Sequence, residues 1–202
     1  MSIDYIGSYA GASGGTIAIS SQVSGLSVSF YAFVTSFSDN MTSNWNEEQV
    51  YGRPDPIGTF QNTSRKISLG FDIPSKDLAE AKEKLKEINK LKQMMYPVYS
   101  SNTENNASTN ALSLAKSPLV RLKFANLIQA ENKKGLLGWI NSFSATPVID
   151  MGMFSEEGKL YPKVYNATID FTPQHEYDLG FKMSGSTPKA IDGKFTSFPY
   201  GG

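Results

Sequence analysis

The chain has 202 residues, enough for one globular domain of ordinary size with appendages. Its 19 Lys and Arg balance 19 Asp and Glu, which removes any bulk attraction to nucleic acid or anionic membrane, and a charged content of 19% is low against an average near ~25%, consistent with surface hidden from water. The absence of cysteine excludes disulfides and thiolate chemistry, and with no apolar run near the ~20 residues of a membrane span and no signal core in residues 1–15, no membrane anchoring is expected.

Residues 1–25 are rich in Gly, Ser and Ala, with Ile17 and Ile19 alternating, and are expected to form a flexible N-terminal arm that can hold a short strand. From Leu26 to Phe37 a first strand is expected, with Leu26, Val28 and Phe30 on one face and serines between them. A second runs from Arg65 to Ile73, where Ile67, Leu69, Phe71 and Ile73 alternate with Lys66, Ser68, Gly70 and Asp72. Between them, Ser38 to Ser64 reads as a long ordered loop, holding Trp45, Tyr51 and Phe60 among Gly and Pro turns.

Pro74-Ser75 punctuates the strand, Ser75 can cap, and Leu78, Ala81, Leu85, Ile88, Leu91 and Met95 recur at helical spacing. A helix over 75–96 follows, with Asp77 complementing its dipole and Pro97 stopping it. Lys82, Lys84, Lys86, Lys90 and Lys92, interleaved with Glu80, Glu83 and Glu87, form its solvated faces. Residues 100–117 read as an exposed polar connection. Three strands are then expected at Leu119 to Ile128, Leu136 to Ala145 and Lys163 to Thr172, and residues 181–202 read as a C-terminal arm. The body is therefore 26–180, and the fold class is mainly β (α+β): an antiparallel split barrel or sandwich of five or six strands with one long packed helix.

Asn44-Trp45, then Val50-Tyr51-Gly52-Arg53-Pro54-Asp55-Pro56-Ile57, then the strand Arg65 to Asp72, resemble the small hub and adaptor proteins of contractile phage tails and related injection machines. Pro118 to Phe124, Gly138-Trp139-Ile140, Gly158 to Lys163 and Phe171 extend the likeness, which spans about Phe30 to His175. The resemblance implies a tail-tube type of fold and a homo-oligomeric ring, a hexamer, that joins the tail tube to the central hub or spike and meets the wedge proteins. It also implies passing contact with DNA in the lumen and a place in the virion after assembly in the host cytoplasm. Relatives of this kind often end in a LysM module; nothing after Gly180 has the length for one, so a bare adaptor or tube initiator is expected.

Trp45, Tyr51, Arg53, Asp55 and Phe60 are the candidate subunit-interface residues, because aromatic residues with arginine make interface hot spots. Trp45 either staples its own loop or reaches a neighbour, and the resemblance favours the second. Arg53 and Asp55 flanking Pro54 also fit a simple turn. His175, the only histidine, sits beside Glu176 and Asp178, but neighbours on a strand point to opposite faces and would not converge. Asp150, Glu156 and Glu157 could be imagined as a glycosidase pair, but nothing supplies the apolar pocket that raises one carboxyl pKa. No enzyme activity, cofactor or metal is expected. The alternatives are a tail-associated wall hydrolase and a monomeric tail-surface binding module.

Overall fold

Alternating apolar and polar side chains lay down most of the chain as strands, and the computed structural model describes it over residues 16–31, 33–100, 113–125, 127–128, 135–176 and 179–190. The main sheet contains β1 (Thr16–Ser21), β2 (Ser27–Tyr31), β3 (Phe33–Glu48), β4 (Ile57–Pro74), β7 (Val120–Phe124), β8 (Leu136–Pro147) and β11 (Val164–Pro173). Their order is β2-β1-β7-β8-β11-β4-β3, antiparallel at every step. Three two-stranded hairpins accompany it: β5 (Val98–Ser100) with β6 (Ser113–Lys116), β9 (Met153–Glu156) with β10 (Lys159–Pro162), and β12 (Phe181–Ser184) with β13 (Thr187–Ala190). Most of the N-terminal arm (1–15), most of the polar connection (101–112) and the end of the C-terminal arm (191–202) lie outside the described residues.

β2 and β3 occupy opposite edges of the sheet, although only residue 32 separates them in the chain. The sheet must therefore curl until its two edges meet at that corner, and the rings of Phe30 on β2 and Phe71 on β4 stand 6.0 Å apart across the interior. No ladder joins β2 to β3 among the described residues, so the sheet is not closed into a barrel. Among the described residues the fold is mainly β with one packed α-helix, built on a single curled sheet of seven strands. The single strand expected from Leu26 to Phe37 is in fact two, one at each edge.

Period-2 alternation sends Ile67, Leu69, Phe71 and Ile73 of β4 and Tyr165, Ala167, Ile169 and Phe171 of β11 into one core with Ile17, Ile19, Val28, Phe30, Val120 and Leu122. Each large side chain buried there contributes roughly 1.5–3 kcal/mol. The expected arm is corrected over 16–25: β1 is hydrogen-bonded on both sides, by β2 and β7, and its two isoleucines are fully buried. Two apolar residues suffice because both neighbouring ladders enclose the strand. Gly138 of β8 is buried where a Cβ would stand 2.6 Å from the Phe171 ring and 2.9 Å from Pro173 Cα, so only glycine fits that crossing.

The helix α1 (Leu78–Met94) starts three residues later than expected, because Asp77 rather than Ser75 caps it: Asp77 Oδ1 accepts from Glu80 N at 2.8 Å. Glu80 Oε2 in turn accepts from Lys76 N at 2.8 Å. The buried stripe is Ala81, Lys84, Ile88, Leu91 and Met94, with Leu85 partly buried. Lys84 thus leaves the solvated face assigned to it, bridging to Glu87 at 3.1 Å with its Nζ 5.9 Å from the Tyr31 ring centre. Met94 takes the core place expected for Met95, which lies one residue past the last helical position as the C-cap. No helix is long and apolar enough to cross a membrane among the described residues.

A projecting hairpin and a polar sheet face

The span Ser38 to Ser64 is not a loop, which corrects the reading from sequence. β3 and β4 pair continuously from Phe33↔Asp72 out to Glu48↔Ile57, leaving only residues 49–56 as the connection. β11 flanks β4 only from Pro74 to Ile67, so residues 57–66 of β4 and 40–48 of β3 have no third strand beside them among the described residues. At ~3.3 Å per residue, this two-stranded arm runs about 33 Å past its neighbour. The alternation that marks a strand fades here because both faces are exposed and neither needs to be apolar.

Near the tip, Trp45 and Phe60 are cross-strand partners with ring centres 5.3 Å apart in an edge-to-face arrangement. They remain 56% and 51% exposed, so the pair staples the hairpin and still offers apolar surface. Trp45 Nε1 donates to Ser43 Oγ at 2.9 Å, and Asn44 Nδ2 donates to Asn62 Oδ1 at 2.6 Å. Val50 and Tyr51 in the connection and Ile57 at the start of β4 are exposed, and Arg53 N donates to the Val50 carbonyl at 3.2 Å across a turn whose Gly52 has φ +84°. Arg53 and Asp55 are exposed and form no ion pair with each other, which leaves the turn reading for that dipeptide frame. All five candidate interface residues therefore gather at one protruding end.

The arm leaves the body at a buried charged clasp that the sequence reading missed. Arg65 is only 4% exposed; its Nε donates to Asp39 Oδ1 at 2.8 Å and its Nη2 to Asp39 Oδ2 at 2.5 Å. Its Nη1 lies 3.3 Å from His175 Nε2. Guanidinium only donates, so this His175 nitrogen accepts and the ring is neutral with its proton on Nδ1. Burial, then the charge of Arg65, holds the His175 pKa below its usual value, with Asp39 opposing them. The signal was present in the alternation: Arg65 shares the inward phase of Ile67 and Leu69, and a charge in that phase requires a partner.

Outward across β3, β4, β11 and β8 the rows read Ser38, Ser68, Asp170, Ser142 and Ser36, Gly70, Thr168, Ser144. Ser68 and Ser142 hydroxyls donate to Asp170 at 2.6 and 2.5 Å, Ser144 and Thr168 hydroxyls bond at 2.7 Å, and Asn166 Nδ2 donates to Asp72 Oδ1 at 2.7 Å. The Ser142 bond first and the Ser68 bond second hold the Asp170 carboxyl below the usual carboxylate range. Small side chains that satisfy one another make a polar face of low relief.

The other candidate residues disperse. His175 turns to Arg65 while Glu176 takes Arg121 in a bidentate pair, 2.8 Å on each side; Asp178 lies outside the described residues. Glu156 pairs with Lys82 of α1. Asp150 is in a single 3-10 turn, and Glu157, with φ +48°, forms with Gly158 the two-residue turn of the β9–β10 hairpin. No group of three or more acidic or histidine side chains is placed to hold a metal among the described residues. Neither the models of known protein families nor the curated proteins give a match to this chain.

Proposed function

We propose that the protein is a structural, ring-forming component of a contractile phage tail baseplate, joining the tail tube to the central hub or spike. The observation that carries this reading is the projecting arm. A lone two-stranded hairpin is marginal in water, yet this one runs about 33 Å free of the sheet and ends in exposed Trp45, Tyr51 and Phe60. A neighbouring copy that packs on the arm would supply the missing support and cover these apolar side chains.

In a closed ring the contacts are heterologous, each copy giving the arm and receiving the next, with six copies as the expected number. The exposed long edge of β3 is then sheltered. The polar face of β3, β4, β11 and β8 lines the conduit. Its hydroxyls and amides are engaged with one another, and Asp72 and Asp170 offset Lys66, so DNA passes without adhering. Tail tube, spike and wedge proteins are the axial and peripheral partners, and the assembled protein resides in the virion.

Shortening the arm tests the proposal. Asn44 and Asn62 are partners, so replacing residues 45–61 by Asn-Gly keeps the register below with a two-residue turn. The shortened chain is expected to fold with its sheet intact and to remain monomeric where the full chain forms rings. Rings of unchanged size from the shortened chain would contradict the proposal.

A further inference from the structure

The ring reading assigns the arm to a neighbour but not to a place on it. We infer that the hairpin tip of one copy docks on the C-terminal end of α1 of the next copy, with its aromatic side chains in an apolar groove there and its carboxylates against lysines; the inference rests on the ring reading.

The tip is acidic. Glu47, Glu48 and Asp55 are exposed around the single cation Arg53, and none of the four has an ion-pair partner among the described residues. At the far end of α1 the sign is reversed. Lys86, Lys90 and Gln93 follow i, i+4, i+7 and share one stripe, with Lys92 beside it and Glu83 the exposed acid toward the helix start. Lys86, Lys90 and Lys92 also lack ion-pair partners among the described residues.

Gln93 joins this stripe to a groove of about 330 Å³ between the end of α1 and the β1–β2 turn, lined also by Leu26, Met94, Tyr96, Val98 and Tyr99. Tyr96 is 71% exposed at its rim, and Lys116, opposite Val98 on β6, adds another cation there. Aromatic side chains with flanking carboxylates on one surface thus match an apolar groove with flanking lysines on another.

The occupant is a second copy rather than the chain's own tip. Six antiparallel steps separate β2 from β3 in the sheet order, so the two strands run in the same sense. The chain passes from the groove, at the start of β2, to the tip, at the end of β3, without reversing. Groove and tip thus sit at the start and the end of one run of strand along the sheet's meeting edges, an arrangement that suits a heterologous head-to-tail contact.

Charge reversal tests this on the full chain. K86E/K90E and E47K/E48K each alter exposed side chains only, so their thermal unfolding serves as the check on folding. Sedimentation across a concentration series is expected to show each variant assembling at concentrations about tenfold or more above wild type, and the quadruple variant, carrying both reversals, returning to within about threefold. Wild-type assembly by K86E/K90E, or a loss that the quadruple variant does not restore, would overturn the docking site while leaving the ring. A wild-type chain that stays monomeric at every concentration would overturn both.

Discussion

Replacing Trp45 by alanine separates two roles of one side chain. Within the monomer, Trp45 meets Phe60 edge to face with the ring centres 5.3 Å apart, a contact that contributes about 0.5–1.5 kcal/mol. At roughly 2–4 °C per kcal/mol for a domain of this size, the loss should lower Tm by no more than about 6 °C. In the ring the larger effect is intermolecular. Trp45 leaves 56% of its surface in water, and 56% of a surface of ~250 Å² is about 140 Å². Covering it contributes up to about 3.5 kcal/mol at ~25 cal/mol/Å², or a few hundred-fold in Kd for each contact. Sedimentation velocity across a concentration series, with thermal unfolding of the same samples, reads both numbers. An unchanged assembly midpoint beside a lowered Tm would mean that Trp45 serves its own hairpin only and would refute the reasoning.

The clasp gives a second prediction: Asp39→Asn removes the carboxylate from the buried Arg65–Asp39 pair, and breaking such a pair should cost about 3 kcal/mol or more, a Tm drop on the order of 10 °C by thermal denaturation. His175 gives a third. Its pKa is depressed in the folded chain, so its contribution is fully present above the unfolded value of ~6.5 and is lost as pH falls below that. His175→Gln, which can still accept from Arg65, should flatten the Tm–pH profile in that window, and an unaltered slope would remove His175 as its cause. Gly138→Ala should destabilise the fold through overlap with Phe171 and Pro173, by roughly 1–3 kcal/mol in chemical denaturation, whereas Gly158→Asn, at a turn position open to solvent with φ +76°, should change it little.

How much of this could be read from the sequence depended on whether a strand had one wet face and one dry one. β4 shows both cases: from Arg65 to Ile73 one face is buried and the alternation is plain, while from Ile57 to Ser64 both faces meet solvent and the same strand looked like loop. β1 was obscured by its Gly- and Ser-rich surroundings, and its burial comes from ladders on both sides that no local pattern encodes. The helix was legible from its stripe, but its start was decided by one side chain, Asp77. Trp45, Tyr51, Arg53, Asp55 and Phe60 were singled out by residue type, and the structure gathers them at the end of the arm. That Trp45 and Phe60 face each other was hidden, because the register shifts between Asn44 and Trp45. The clasp was hidden by distance: Asp39 and His175 lie 26 and 110 residues from Arg65.

The central claim is that the chain assembles with copies of itself through its arm. The mass of the purified full chain in solution, followed by sedimentation from nanomolar to high micromolar concentration with electron microscopy of the largest species, tests it most directly. A transition to one closed, ring-shaped oligomer of fixed size is expected; a monomer throughout, with no ring in any image, would contradict assembly through the arm.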